Sequence, residues 1–214
     1  SGANFCYLMD QVLIGLKYQI VVSYIDDVIC FGGRKFEEHL RCLRLVMNRI
    51  QDNGMTLAIA KCSFCLRVFD YLGFQISREG VKPNTNNVDK IINAKIESAT
   101  DARQFVGLCQ FYRRWIPKFS QLVAPLYALL KVKWSDRDSD AVSFSIKCIK
   151  NALSSYPVFR HPDFDKKFFL ATDASLEGFG AILQQKCDTT GALYVISYAS
   201  SRLPPSMKIL LVLQ

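Results

Sequence analysis

The 214-residue sequence has no long apolar run: Ile209 to Leu213 is as long as any, against the roughly 20 residues a helix needs to cross a bilayer. No membrane-spanning helix and no membrane partner are predicted, and the chain does not open with a charged-then-apolar signal peptide. Histidine is scarce, with only His39 and His161. Cys62-Ser63-Phe64-Cys65 has the spacing of half a zinc knuckle, but a tetrahedral site needs two more ligands and neither histidine comes with a second pair. Zinc is not expected. Internal repeats and low-complexity linkers are also missing, and a composition of 50% hydrophobic and 21% charged residues excludes an intrinsically disordered chain.

Acid is in short supply. Nineteen Asp and Glu stand against 27 Lys and Arg, a net charge of +8, and such an excess attracts polyanions over long range. Nucleic acid is the leading partner class; a generically basic soluble protein is the bland alternative. The eight cysteines, Cys6, Cys30, Cys42, Cys62, Cys65, Cys109, Cys148 and Cys187, are scattered through apolar or helical surroundings, unlike a secreted disulfide scaffold. They read as reduced thiols of an intracellular protein. The length suits one large domain or two small ones.

Phe5, Leu8, Met9, Val12, Leu13 and Leu16 recur at helical spacing from the first residues, and Met207 to Gln214 is apolar without a Gly or Pro stop. The sequence is therefore expected to continue at both ends. Tyr18 to Tyr24 and Val28 to Phe31 are rich in β-branched and aromatic residues and predict a hairpin with Asp26 and Asp27 at its tip. A helix is predicted from Phe36 to Asn53, then a second hairpin over Phe69 to Ser77, interrupted at Gly73, and a turn at Glu79-Gly80. Helices follow at Val88 to Ile96, Thr100 to Ile116 with Thr100 as cap, Leu122 to Leu130 and Ala141 to Leu153. Strands return at Phe168 to Thr172, Phe179 to Gln185 and Leu193 to Tyr198.

Two adjacent aspartates between apolar strands repel each other unless a cation offsets them. Magnesium suits that task, because it takes hard oxygen ligands and binds through one or two carboxylates plus substrate phosphates. On the dipeptide alone, an ordinary Asp-rich turn is the commoner explanation. Arg113 and Arg114 lie beside Tyr112 and Trp115, interleaving charge with aromatic surface as nucleic acids prefer. One of the two aromatics is expected to pack inward, leaving Arg113, Arg114 and Lys118 for binding.

The context of the aspartates resembles a known family. Tyr24-Ile25-Asp26-Asp27 within VVSYIDDVICF resembles the YxDD box of reverse transcriptases, and Leu8-Met9-Asp10, Val12-Leu13 and Gly15-Leu16 resemble the helix before that box in Gypsy-type LTR retrotransposon polymerases. His39-Leu40, Leu57, Lys61-Cys62-Ser63-Phe64, Tyr71-Leu72-Gly73-Phe74 and Gly80-Val81-Lys82-Pro83 continue the palm pattern in order. Phe105-Val106-Gly107-Leu108, Phe111 to Ile116, Pro125-Leu126, Leu129-Leu130 and Trp134 resemble the thumb and connector. Thr172-Asp173-Ala174-Ser175 with Gly178 to Ala181 and Leu183 to Gln185 resembles the first hairpin of the RNase H domain.

The resemblance implies a mixed α/β (α+β) chain: the C-terminal part of a polymerase palm over 1–83, thumb and connector helices over 84–160, and an incomplete RNase H-like sheet over 161–214. It implies an RNA-directed DNA polymerase with an attached RNase H endonuclease, working on RNA or DNA primer-template with deoxynucleoside triphosphates, beside the rest of a Pol polyprotein, in a cytoplasmic particle or the nucleus. Asp26 and Asp27 become ligands of a two-metal magnesium site, and Asp173 a nuclease ligand. Lys61 resembles the lysine that neutralises the leaving pyrophosphate; a solvated surface lysine is the other reading. Tyr71, Leu72, Gly73 and Phe74 become the primer grip, where Gly73 permits close backbone approach, or else a bulge in an ordinary hairpin.

The sequence also departs from the family. The earlier palm aspartate and the fingers would precede Ser1, and the RNase H glutamate would fall at or beyond Gln214, while Glu177 reads as a solvated turn residue. The chain alone is therefore expected to be inactive, and the alternative is a non-catalytic nucleic-acid-binding relic of a retroelement.

Overall fold

The computed structural model describes residues 2–33, 35–129, 139–175 and 178–203. Two compact units divide the chain between Cys65 and Leu66. In the first, helix α1 (Gly2–Val12) leads into an antiparallel hairpin of β1 (Val21–Tyr24) and β2 (Asp27–Cys30), then helix α2 (Phe36–Asp52) and a short 3-10 turn at Ile59–Lys61. Met9, Val12, Leu13, Val21, Val46 and Ile50 form its core, so α1, α2 and the hairpin each turn an apolar stripe inward. Arg49 of α2 donates to the Ile14 carbonyl at 2.9 Å, satisfying backbone where α1 has ended.

The predicted first strand is shorter than its composition suggests. Tyr18 has φ +66, a left-handed value no strand accommodates, so β1 begins only at Val21. The register Tyr24↔Asp27 leaves Ile25 and Asp26 as the two turn residues.

The second unit opens with an antiparallel sheet of β3 (Val68–Tyr71), β4 (Phe74–Ser77) and β5 (Val81–Pro83). Helices α3 (Thr85–Ile92), α4 (Ala99–Phe111), α5 (Phe119–Leu122), α6 (Ala124–Leu129) and α7 (Ser139–Ser154) follow, with a 3-10 turn at Arg113–Trp115. A second antiparallel sheet of β6 (Phe168–Ser175), β7 (Gly178–Lys186) and β8 (Leu193–Arg202) closes the described chain. The core runs through Ile91, Phe105, Trp115, Phe119, Leu126, Ile149, Leu153 and Phe159, each at most 2% exposed. β5 also bridges to Phe159, through paired backbone bonds between Val81 and Phe159 at 2.8 and 3.0 Å.

Helix boundaries correct the sequence expectations where polar chemistry outranks apolar periodicity. Asn84 caps α3 by accepting from the Asn86 amide, so that helix starts at Thr85 and ends at Ile92, not Ile96. Ser98, not Thr100, caps α4 by accepting from the Asp101 amide. The Asp101 carboxylate, held down first by the Ser98 hydroxyl and then by the Glu97 amide, completes that cap. The helix predicted to run to Ile116 stops at Phe111, where Tyr112 leaves α geometry for the 3-10 turn of Arg113–Trp115; Ile116, just before Pro117, is extended. A single helix over Leu122 to Leu130 is instead the pair α5 and α6, broken at Val123; Leu130, Trp134 and the segment Met207 to Gln214 lie outside the described residues. β6 runs on to Ser175, so Asp173 stands within the strand, opposite Gly180, and not after it.

Candidate nucleic-acid interface and carboxylate sites

Asp26 and Asp27 are brought to the tip of the first hairpin by a two-residue turn, and both are exposed. Ile25, the first turn residue, has φ +55. A β-branched side chain in the left-handed region costs about 1–2 kcal/mol, and such strain persists where the surroundings over-determine it, often at functional sites. Two hard oxygen donors side by side fit magnesium in kind, given phosphate to complete its shell. Among the described residues, no group of three or more His, Cys, Asp or Glu gathers at any point. Lys61 sits in the 3-10 turn of the same unit, exposed.

The remaining predicted site residues belong to the second unit. Tyr71 and Phe74 pair across the β3–β4 hairpin, with Leu72 and Gly73 in its turn at φ +48 and +80. The Tyr112 hydroxyl donates to the Gly73 carbonyl at 2.9 Å. Burial pushes the Tyr112 phenol up, opposed by its bond with Asn87.

Tyr112 and Trp115 are both buried, at 2% and 1% exposed, which corrects the expectation that only one packs inward. The 3-10 geometry of Arg113–Trp115 explains it: with three residues per turn, side chains three apart share a face. The arginines between them are engaged within the fold. Arg113 donates to the Ser200 carbonyl at 2.7 Å, and Arg114 reaches the Ile196 carbonyl at 3.4 Å while lying 4.9 Å from the Trp115 ring centre. Burial lowers the Arg114 guanidinium below its ordinary value.

Lys118 approaches Asp173 at 3.8 Å, with 63% and 78% of the two side chains exposed. Such a surface pair contributes little stability, but it places a cation and a carboxylate at the mouth of a cleft between the start of α5 and the second sheet. Gln121, Ser175, Tyr198 and Ser200 share its lining. Gln121 donates to the Ser175 hydroxyl at 3.2 Å, and Ser200 Oγ accepts from the Ser120 amide at 3.0 Å. Ser120, Ser200 and Gln121 escaped the sequence reading because isolated polar residues carry no pattern, whereas Ser175 entered it within the Thr172–Ser175 block. Among the described residues, Asp173 beside a lysine offers too few carboxylates for a two-metal nuclease centre. Glu177 and Gln214 lie outside the described residues.

Residues 1–76 match the family described as Reverse transcriptase (RNA-dependent DNA polymerase), and residues 134–210 match the RNase H-like domain found in reverse transcriptase. The chain thus carries a reverse transcriptase region and an RNase H-like region, and it is similar to Gypsy-type retrotransposon polyproteins. It is 35% identical over 208 residues to the Transposon Tf2-3 polyprotein of Schizosaccharomyces pombe and 34% identical to the Tf2-7 polyprotein of the same yeast. Each alignment covers 95% of this chain and 15% of the relative, so the chain spans about a seventh of those polyproteins.

Among solved structures, the foamy viral protease-reverse transcriptase dRH in complex with double-stranded DNA superposes with a TM-score of 0.81 at 22% identity, covering 97% of this chain and 36% of that one. The foamy viral enzyme in complex with an RNA/DNA hybrid gives 0.76 at 22% identity, over 99% and 29%. This likeness bears out the mixed helix and sheet architecture expected of a palm, thumb and RNase H-like chain. No helix among the described residues is long and apolar enough to cross a membrane.

Proposed function

We propose that this chain is the primer-template-handling part of an RNA-directed DNA polymerase joined to an RNase H-like domain. Its palm spans 1–83, its thumb and connector 84–160, and its RNase H-like domain begins near 161. The observation that carries the reading is the Asp26-Asp27 pair, presented by a strained turn at the tip of a buried-rooted hairpin, in a chain of this family. Magnesium held by Asp26 and Asp27 would neutralise charge on a transferring phosphoryl group, the two-metal role in nucleotidyl transfer. Lys61 supplies positive charge to the leaving pyrophosphate, and Tyr71 to Phe74 hold the primer. Lys118, with Arg113 and Arg114, meets backbone phosphate. The relatives' polyprotein context supports the rest of Pol as partner, and deoxynucleoside triphosphates as substrates of the complete enzyme.

The test is duplex binding by fluorescence anisotropy over a salt series. Affinity for a primer-template is expected to fall about tenfold between 50 and 200 mM salt if roughly two phosphates are neutralised. A salt-independent constant would remove nucleic acid from the reading.

A further inference from the structure

The β3–β4 turn is held from one side. The Gly73 carbonyl accepts from two donors, the Tyr112 hydroxyl at 2.9 Å and the Asn84 amide at 3.0 Å. A Cβ added at Gly73 would lie 3.0 Å from the Phe111 ring and 3.3 Å from the Tyr112 hydroxyl, so the chain passes directly against the C-terminal end of α4. Phe74, the next residue, stacks on Phe111 with centroids 4.9 Å apart and on Trp115 at 5.4 Å, and meets Tyr112 edge-on at 5.8 Å. Tyr112 is 2% exposed, whereas Leu72 at the tip is 37% exposed. One side of the turn is thus packed against aromatic rings and the buried Tyr112, while Leu72 at the tip meets solvent.

The turn needs such a clamp. Leu72 at φ +48 is a non-glycine residue in the left-handed region, a conformation that L side chains adopt only at a cost and that persists where neighbours fix it. The Tyr112 hydroxyl, just past the end of α4, gives this turn a directional bond, while the rings fill space.

We infer that Tyr112 is a positioning residue for the Leu72–Gly73 turn: its hydroxyl, through the Gly73 carbonyl, fixes the pose in which the turn meets the recessed 3′ end of a primer. The inference rests on the reading of Tyr71 to Phe74 as the primer-contacting turn.

Tyr112→Phe keeps the ring stack and removes the hydroxyl, with its bonds to the Gly73 carbonyl and to Asn87. The 214-residue chain and this variant are titrated against a fluorescein-labelled DNA primer-template with a recessed 3′ end, and against the same duplex with blunt ends. A 2-aminopurine at the primer terminus reports contact there. The variant is expected to lose about five-fold in affinity for the recessed end, the effect of one hydrogen bond, with the blunt duplex unchanged. The 2-aminopurine signal should move toward that of free primer-template, and hydrogen exchange at the Gly73 and Phe74 amides should quicken. A merely structural role would weaken both duplexes alike, which would overturn the inference, as would a recessed-end preference retained in full. If the wild-type chain shows no such preference, the primer-grip reading itself fails and the inference falls with it. Should Tyr112→Phe not fold, Phe111→Leu, which removes the ring beneath Gly73, is expected to show the same selective loss, and an unchanged preference in that variant overturns the proposal.

Discussion

Arg113 donates to the carbonyl of Ser200 at 2.7 Å, across 87 residues of sequence. A guanidinium that the sequence pattern offers to nucleic acid thus binds a carbonyl on β8, and with the Ser120–Ser200 bond it ties the 3-10 turn and α5 to the second sheet.

That bond has a measurable share in stability. A charged donor on a part-buried carbonyl contributes about 1.5–3 kcal/mol when intact, so Arg113→Ala should lower the urea-unfolding free energy by on the order of 1–2 kcal/mol, since solvent reaches the pair. Arg113→Lys should recover only part, because an ammonium lacks the planar fork. Unchanged stability together with collapsed duplex binding would reassign the side chain wholly to phosphate.

Chemistry by this chain alone is expected to be absent at both carboxylate sites. Among the described residues, neither the Asp26-Asp27 pair nor Asp173, which Lys118 approaches, belongs to a group of three acidic ligands, whereas two-metal catalysis needs carboxylates that share both ions. The purified 214-residue chain should incorporate no nucleotide into a primer with magnesium and should cleave no RNA in a hybrid. In a longer chain that carries further RNase H-like sequence, cleavage should appear, and Asp173→Asn should abolish it while leaving duplex binding nearly intact. Robust magnesium-dependent activity from the chain as it stands contradicts this account.

The turn between β7 and β8 gives a pH prediction. Hydrogen bonds from the Thr190 hydroxyl first, then Arg160 and the Thr190 and Thr189 amides, pull the Cys187 thiol down from about 9 to about 6. A depressed thiol favours the fold most above the unfolded value near 9, and that contribution declines with falling pH and is lost below about 6. Iodoacetamide at pH 7 should therefore label Cys187 ahead of the other seven cysteines, read by peptide mass spectrometry. Arg160→Gln should slow that labelling, and equal rates at all exposed cysteines would contradict the assignment.

Local order in this protein is written in its sequence. The alternation of β-branched and aromatic residues around Asp26-Asp27 placed a hairpin with carboxylates at its tip, the stretch from Phe36 to Asn53 placed α2, and the ordered blocks from Tyr24 to Gln185 pointed to the reverse transcriptase and RNase H-like regions, because short-range periodicity and motif order are properties of the chain itself. Helix ends were legible only in part, since a cap is decided by one polar side chain such as Ser98 or Asn84 and by proline downstream. The tertiary structure alone decided what each cation faces. Arg113 lies against β8, Arg114 over Trp115, and Lys118 at Asp173, contacts between residues tens of positions apart that no local pattern encodes. It also decided that Tyr112 holds Gly73: a buried hydroxyl must find an acceptor, and which carbonyl it finds depends on how α4 packs against the sheet.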